Sequence, residues 1–169
     1  YHDSAAVLIK DGQLIVAVQE ERFTRKKHDD SFPDQAIKYC LLEAGIVPGD
    51  LTYICFYDKP LLKFERIVES FIRSWPHDFS MFLKVMPIWL KDKLLIKKII
   101  KKKLGYNGHI YFSEHHMSHA ASAFFVSPFE ESAVLTVDGV GEWATTAYGV
   151  GRGNKIDITQ EMDYPDSLG

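Results

Sequence analysis

The N-terminal part of the chain alternates short apolar runs with turn signals. Apolar segments at residues 5–10 and 14–19 flank Asp11-Gly12, a dipeptide typical of two-residue β-hairpin turns. Apolar side chains then recur at helical spacing, at Ile37, Cys40, Leu41 and Ala44. The pattern predicts a β-hairpin, then a helix, and then a short strand over residues 51–57.

Local signals place the ends of this helix. Ser31, with Asp34 three residues later, resembles a capping box, and Gly45 is a typical C-terminal stop. Between the hairpin and the helix lies a charged block, EERFTRKKHDD, over residues 20–30. The block is too polar to belong to a core, so we expect a solvated loop.

The middle of the chain has a helical pattern, and its end returns to strands. Residues 59–104 predict helices interrupted at Pro76 and Pro87, and this stretch looks like an insertion. The elements predicted after it are a strand at 109–112, a helix from Ser113 to about residue 127, a strand at 133–137, and a hairpin at 144–150 and 156–161. Alternating strands and helices with β-hairpins predict an α/β fold with a mixed sheet.

A faint internal repeat refines this fold prediction. Asp3 and Asp138 each precede two apolar segments with a glycine turn between them, and both second segments end in Gln-Glu. If the copies are related, the chain holds duplicated half-domains, the second beginning at about residue 132. Actin-like nucleotide-binding folds place such units on two sides of a cleft, so the repeat favours a partial actin-like fold.

Composition limits the class of protein. The 169 residues are 46% hydrophobic and 25% charged, which is enough to bury a core and excludes a disordered chain. The formal charge of −3 provides no overall basic field for nucleic acid. Two cysteines, Cys40 and Cys55, supply neither a disulfide framework nor a metal quartet.

The start of the chain bears on its location. It opens at Tyr-His-Asp with neither an initiator methionine nor a signal sequence. We therefore expect a cytoplasmic protein that is a piece of something longer. Apolar surface exposed by truncation can pair copies, which makes a homo-oligomer an option.

One segment carries a strong local charge. Residues 81–104 hold eight lysines and one aspartate, a charge of +7 that leaves −10 for the rest of the chain. Pro87 and these charges interrupt it, so we expect no membrane span. Within it, residues 91–104 have the pattern of a basic amphipathic helix. One interpretation is that this helix binds a membrane or a polyanion. The favoured interpretation is that it buries one apolar stripe and keeps its lysines in solvent.

The sequence EHHMSHAASAF is the strongest candidate for a chemical site. On a helix, His115 and His119 project from one face a turn apart, so both imidazoles can reach one divalent ion. Two ligands are too few, and Asp138 at a strand end is the natural third. His116 occupies the place of the glutamate in the metalloprotease motif, which excludes that motif. The alternative is a helix start decorated with surface histidines.

Three weaker candidates lie elsewhere. The turn DGVG can cradle phosphate oxygens with the backbone N–H groups of Gly139 and Gly141, although most such sequences are only turns. Near the start, the carboxylate of Asp3 beside His2 can take a proton from a substrate hydroxyl, or belong to a frayed terminus. Basic residues of the charged block can meet a phosphate or carbamate anion unless their acidic neighbours neutralise them, foremost Lys27 and His28.

Three motifs together resemble one enzyme family. YHDSAA, QEERFTRKKHD, and HHMSHAASAF followed by TVDGVGEW look like the N-terminal part of the NodU/CmcH carbamoyltransferases, and the likeness runs from end to end. Members of that family are several times longer than this chain. The resemblance implies that residues 1–169 are part of a Kae1-like domain of the actin/Hsp70 (ASKHA) superfold. It also implies a C-terminal YrdC-like domain that this sequence lacks.

The resemblance implies an activity as well. It is the ATP-dependent transfer of a carbamoyl group from carbamoyl phosphate, through carbamoyl adenylate, to the hydroxyl of a small-molecule acceptor in biosynthesis. Because much of such an active site lies outside this chain, we expect the isolated 169 residues to show no turnover.

The family's functional residues correspond to positions here. The resemblance implies an iron-type metal, Fe²⁺, on three residues, His115, His119 and Asp138, and a further aspartate ligand outside this chain. It implies a substrate-side pair at His2 and Asp3, with Asp3 as the base. The family's basic loop contains Lys27 and His28.

Two other functions stay open at this point. A Kae1-type tRNA threonylcarbamoyl transferase shares the fold and the helical histidine pair but uses a tRNA adenosine. A non-catalytic nucleotide-binding or assembly module would use its basic helix to dock a partner. The charged block and the HDSAA start favour the carbamoyltransferase with a small acceptor, without nucleic acid.

Overall fold

A computed structural model describes residues 3–75, 77, 79–90 and 94–168. The chain forms two compact units, the first from residues 1–52 with 104–108 and the second from residues 53–103 with 109–169. Both units combine helices and strands, which confirms the α/β class. The prediction of one mixed sheet is wrong for these described ranges, where the strands form three separate small sheets.

The first unit is built on a β-hairpin. Strands β1 (Ala5–Lys10) and β2 (Gln13–Gln19) pair antiparallel, with a register shift after Leu8. Asp11 and Gly12 connect them with φ angles of 51° and 77°, the left-handed conformation that tight hairpin turns require. The hairpin predicted from Asp11-Gly12 is therefore confirmed.

Helical segments complete the first unit. A short helix α1 (Glu21–Thr24) precedes the helix α2 (Asp34–Ala44), and a 3-10 turn (Pro48–Asp50) follows. Helix α2 ends at Gly45 as predicted, with φ of 63°. The left-handed backbone there favours glycine, which has no Cβ to clash.

The start of α2 corrects two predictions from the sequence. Ser31 is not its capping residue. Instead, the Glu20 carboxylate accepts the backbone N–H groups of Gln35 and Ala36 at 3.0 and 2.8 Å. The charged block is also not wholly solvated, because Glu20 and Asp29 are only 2% and 3% exposed. Burial of these carboxylates is tolerated because backbone N–H groups pair with both.

Asp29 fastens the loop between α1 and α2. Its carboxylate accepts the Thr24 hydroxyl at 2.7 Å and the Ser31 N–H at 3.0 Å. Its backbone carbonyl accepts the Ser4 N–H at 2.9 Å. The Ser31 N–H, followed by the hydroxyls of Ser31 and Thr24, lowers the pKa of Asp29 to about 2. The loop is thus held by an ionised carboxylate.

We expect Asp29→Asn to remove an acid-sensitive part of the stability. Because the folded pKa is depressed, ionised Asp29 stabilises the fold above about pH 4, and this contribution is lost as the pH falls towards 2. Urea unfolding at several pH values in this window measures it. The wild-type free energy of unfolding should fall more steeply with decreasing pH than that of the variant. The difference in slope should correspond to the uptake of up to about one proton on unfolding. Equal slopes would contradict the prediction, and the exposed Asp30→Asn is the control.

The second unit begins with a parallel strand pair. Strands β3 (Tyr53–Phe56) and β4 (His109–Phe112) are in register from Tyr53 opposite His109. Parallel pairing requires a long crossover, and helices occupy it. These helices are α3 (Pro60–Arg73), α4 (Phe79–Ile88) and α5 (Ile96–Leu104). They fill most of the stretch predicted as a helical insertion, whose status as an insertion stays a prediction.

The helix breaks predicted for this crossover need one correction. Pro87 does not interrupt a helix but lies inside α4, close to its end. Its ring and its missing N–H disturb the turn before it, and α4 ends one residue later, at Ile88. Pro76 and residues 91–93 lie outside the described residues.

Helix α5 covers most of the described part of residues 91–104, the predicted basic amphipathic helix. It buries Ile100 and leaves Lys97, Lys98 and Lys102 exposed. This arrangement matches a helix with one buried stripe and a solvated lysine side. In the part of the chain that the structure describes, no helix combines the length and the apolar character needed to cross a membrane.

The rest of the second unit packs a helix on a three-stranded antiparallel sheet. The helix is α6 (His115–Phe124), and the strands, in the order β5-β6-β7, are β5 (Glu131–Val137), β6 (Ala144–Arg152) and β7 (Lys155–Asp163). The predicted final hairpin is confirmed. The predicted helix is shorter than expected, since its N-cap is Glu114 and not Ser113, and it ends before residue 127.

A small core joins α6 to this sheet. Ala120 and Phe124 of α6 pack with Val134 of β5, and Ile156 and Ile158 of β7 cover them. The core fixes the face that α6 turns to the sheet. Because α6 is anchored in this way, its first turn lies at the end of β5.

Candidate metal centre

Helix α6 and the end of β5 bring three polar side chains together. His115 and His119 lie a turn apart on α6, and Asp138 follows directly after β5. The Asp138 N–H donates to the Thr145 carbonyl at 2.8 Å, and the Gly139 N–H donates to Asp138 Oδ1 at 2.6 Å. These bonds hold the aspartate while its Oδ2 faces the two histidines.

The three donor atoms are close enough for one cation. His115 Nε2 lies 2.6 Å from Asp138 Oδ2 and 3.1 Å from His119 Nε2. His119 Nε2 lies 3.5 Å from Asp138 Oδ2. Ligands held about 2.0–2.1 Å from one ion are themselves about 3 Å apart. The spacing therefore fits a divalent metal ion. Without an ion, one N–H on His115 Nε2 cannot donate a full hydrogen bond to both Asp138 Oδ2 and His119 Nε2.

The charge of the cluster also suits a cation. Burial raises the pKa of Asp138, but the hydrogen bond from His115, the Gly139 N–H and the nearby imidazoles outweigh it, so the pKa lies below its ordinary value. The His119 side chain is 50% exposed and that of Asp138 37%, which leaves the cluster open to solvent on one side. Two imidazoles and one carboxylate form the donor set of non-haem iron sites.

His116 has a different role from its neighbours. Its buried ring places Nδ1 2.7 Å from Thr136 Oγ1 and Nε2 2.8 Å from the Ala144 carbonyl. Only Nε2–H can donate to that carbonyl, and burial lowers the pKa of the ring. His116 is thus a buried core residue that ties α6 to β5 and β6.

The two glycines predicted to cradle a phosphate lie beside this cluster. The Gly139 N–H donates to Asp138, and the Gly141 N–H donates to the Ala144 carbonyl at 2.8 Å. Both amides are therefore engaged within the loop, and nucleotide binding by these glycines stays a prediction. Gly141 also has a packing role, since a Cβ there would lie 3.0 Å from His116 Cδ2 and 3.2 Å from His115 Cβ.

We expect Gly141→Ala to destabilise the fold by about 1–2 kcal/mol. The added methyl would also lie 3.2 Å from the Ala144 carbonyl, and neither this backbone nor the doubly hydrogen-bonded His116 ring can move away easily. Denaturant unfolding measures the loss. Gly139→Ala is the matched control, because no described atom lies within 4 Å of its Cβ position. Equal stability of the two variants would contradict this packing argument.

The carboxylate that holds the start of α6 was not evident from the sequence. Glu142 is 7% exposed and accepts backbone N–H groups of His115 and Lys59. It stands within the quoted motif TVDGVGEW, but its partners are 27 and 83 positions away. No local pattern could have revealed contacts of that separation. The ion pair of Lys59 Nζ with Glu114, at 2.6 Å, was missed for the same reason.

The other predicted site residues belong to the first unit. Asp3 Oδ1 lies 3.0 Å from His28 Nδ1, which joins the predicted base to a residue of the predicted basic loop. Both residues have left-handed backbones, with φ of 60° and 56°, a strained conformation for residues other than glycine. Lys27 is exposed, and His2 lies outside the described residues. Their catalytic and binding roles stay predictions.

Comparison with known proteins identifies related sequences. The family model described as carbamoyltransferase N-terminus matches residues 1–169, the whole chain. An uncharacterized protein of Synechocystis sp. (strain ATCC 27184 / PCC 6803 / Kazusa) is 53% identical over 177 aligned residues, covering 100% of this chain and 29% of the relative. The nodulation protein NolNO of Sinorhizobium fredii is 37% identical over 171 residues, covering 99% of this chain and 24% of the relative.

A more distant relative shows the same coverage. An uncharacterized protein of Methanocaldococcus jannaschii is 25% identical over 168 residues, covering 99% of this chain and 26% of the relative. The chain thus spans between 24% and 29% of the length of these three curated relatives.

Proposed function

The chain belongs to the carbamoyltransferase N-terminus family, and from this membership we propose that it supplies the metal-binding and acceptor-activating part of an ATP-dependent O-carbamoyltransferase. The proposed donor is carbamoyl phosphate, activated as carbamoyl adenylate, and the proposed acceptor is the hydroxyl of a small molecule. One observation carries the proposal: His115, His119 and Asp138 place their donor atoms within 4.8 Å of one another.

The proposed metal centre uses the donor set described above. His115 Nε2, His119 Nε2 and Asp138 Oδ2 would hold the ion, Fe²⁺ being the proposed metal. When bound, the ion would polarise the carbamoyl carbonyl and offset negative charge near it. Asp138 contributes a full negative charge, which two neutral imidazoles alone would not provide.

The proposed base is Asp3. In the transfer, the acceptor oxygen forms a bond to the carbamoyl carbon, the bond from that carbon to the phosphate oxygen breaks, and the acceptor proton passes to the Asp3 carboxylate. The phosphate oxygen keeps the bonding electron pair, so AMP leaves as an anion. His28, 3.0 Å from Asp3 Oδ1, would orient this carboxylate. Lys27 would face an anionic part of the substrates.

The proposal extends to the architecture of the whole protein. The two hairpins, β1-β2 and β6-β7, are compatible with a partial actin-like, Kae1-like fold. Since the chain spans about a quarter of its relatives, we propose that a YrdC-like part elsewhere in the protein makes the carbamoyl adenylate. A cytoplasmic location and a homo-oligomer stay predictions.

Product analysis tests the proposed function. The full-length protein is incubated with ATP, carbamoyl phosphate and either a small polyol or tRNA, and the products are identified by mass spectrometry. We expect a carbamoylated polyol and an unchanged tRNA. Modification of the tRNA adenosine would instead indicate a threonylcarbamoyl transferase. A protein with no metal by elemental analysis and no thermal shift with ATP would indicate a non-catalytic module.

A further inference from the structure

A buried carboxylate links the start of α6 to the loop that follows β5. Glu142 Oε2 accepts the His115 N–H at 3.0 Å, and Oε1 lies 3.2 Å from the same nitrogen. Oε1 also accepts the Lys59 N–H, which precedes α3, at 2.8 Å. One side chain therefore holds the backbone at the starts of two helices, and one of these positions is a candidate metal ligand.

Helix α6 needs the Glu142 carboxylate as an acceptor because the side chain of its own N-cap residue is engaged in an ion pair. The first N–H groups of a helix have no partner inside it, and an N-cap side chain normally accepts one of them. The N-cap residue of α6 is Glu114, whose carboxylate pairs with Lys59 Nζ. Glu142 takes over the capping role from a separate loop. That loop begins at Asp138, so Glu142 joins the loop that carries Asp138 to the helix that carries His115 and His119.

The ring of His115 lacks the usual means of orientation. A metal-binding histidine generally donates its second ring N–H to a carboxylate or carbonyl, which fixes the ring. His115 Nδ1 is buried and has no hydrogen-bond partner among the described residues. The position of this imidazole therefore depends on how its backbone is anchored, and Glu142 is the acceptor of its N–H.

We infer that Glu142 is a positioning residue for the metal centre, acting through the backbone of His115. The inference rests on the proposed function, because it assumes that the histidine cluster binds a metal ion. Glu142 itself does not contact the ion. Its carboxylate holds His115 Nε2 at the correct distance from Asp138 Oδ2, so its loss would misplace one ligand and leave the other two in place.

Binding of Co²⁺ to the full-length protein tests this inference. We expect Glu142→Ala to weaken Co²⁺ binding by about 10- to 100-fold, the range found when residues that orient metal ligands are removed. The visible absorption spectrum of the remaining complex should shift from that of the wild type towards that of His115→Ala. The double variant should bind no more weakly than His115→Ala alone, because Glu142 acts only through that ligand.

The capping carboxylate of the first unit provides a matched control. Glu20 is buried and accepts two N–H groups of α2, as Glu142 does for α3 and α6, but it belongs to a different unit. Glu20→Ala should lower the urea midpoint and leave the Co²⁺ affinity and spectrum unchanged. If Glu142→Ala does not fold, Glu142→Gln replaces it. The amide retains only one acceptor oxygen, so weaker binding and a changed spectrum are again expected.

The outcomes separate the inference from the proposed function. Wild-type affinity and spectrum in a folded Glu142 variant, with binding abolished in His119→Ala, would overturn the positioning role alone. A further loss in the double variant relative to His115→Ala would also overturn it, because Glu142 would then act on another ligand. A wild-type protein that binds no Co²⁺ would overturn the metal centre and the inference together.

Discussion

His119→Ala is expected to remove the bound metal ion from the protein and to abolish carbamoyl transfer. The change deletes one of three converging donor atoms and leaves His115 Nε2 and Asp138 Oδ2 as a pair. Loss of a direct ligand should exceed the roughly 10- to 100-fold loss of affinity seen for residues that merely orient ligands. Elemental analysis of the full-length protein should fall from about one ion per chain to a trace.

A control substitution outside the cluster and a second substitution within it make this test specific. His109→Ala removes an exposed imidazole from β4 and should retain wild-type metal content and activity. Asp138→Asn should resemble His119→Ala, because the amide keeps the shape but removes the negative charge. Unchanged metal content in both His119→Ala and Asp138→Asn would remove the metal centre from this account.

The parts of the fold that sequence predicts are those set by neighbouring residues. The Asp11-Gly12 hairpin and the stop at Gly45 each depend on a backbone conformation that few residue types adopt. The convergence of His115 and His119 follows from the helical repeat alone. Asp138 joins them because its strand packs beside α6; its place at a strand end made it the predicted third ligand, but no local pattern showed this packing.

The parts that sequence did not predict depend on contacts between distant segments. Glu20 caps α2 from 15 or more positions away, and Glu142 contacts His115 across 27. In a one-dimensional pattern such carboxylates look like surface charges, because composition carries no record of which backbone N–H groups they will meet. The prediction of Ser31 as a cap was wrong for the same reason. The local motif pointed to Ser31, but the acceptor at the start of α2 is the distant carboxylate of Glu20.

The two distant carboxylates suggest a common design principle. In each unit, a buried glutamate from another segment supplies the acceptor that a helix start requires, and thereby fixes where that helix begins. Such a bond adds stability only if the carboxylate is fully paired, because an unpaired buried charge is costly. A helix held in this way keeps its first turn in a fixed position, which suits the turn that carries His115.

Asp3→Asn is expected to lower kcat for carbamoyl transfer by about 100- to 10,000-fold while leaving the metal content unchanged. The amide cannot accept the acceptor proton, but asparagine tolerates the left-handed backbone found at this position, with φ of 60°. The fold should therefore remain intact, and the loss should appear in kcat more than in KM. His28→Ala should cause a smaller loss, because it removes only the partner 3.0 Å from Asp3 Oδ1.

The comparison with Asp30→Asn decides whether the loss is specific to Asp3. Asp30 is an exposed carboxylate paired with Lys26 in the same unit, so its removal changes the charge equally without touching the proposed base. We expect wild-type kcat for that variant. If Asp3→Asn retained more than about half of the wild-type kcat, the proton would have to leave by another group, because general-base loss is rarely so mild. The acid-base role would then pass to another residue, and the metal centre would be unaffected.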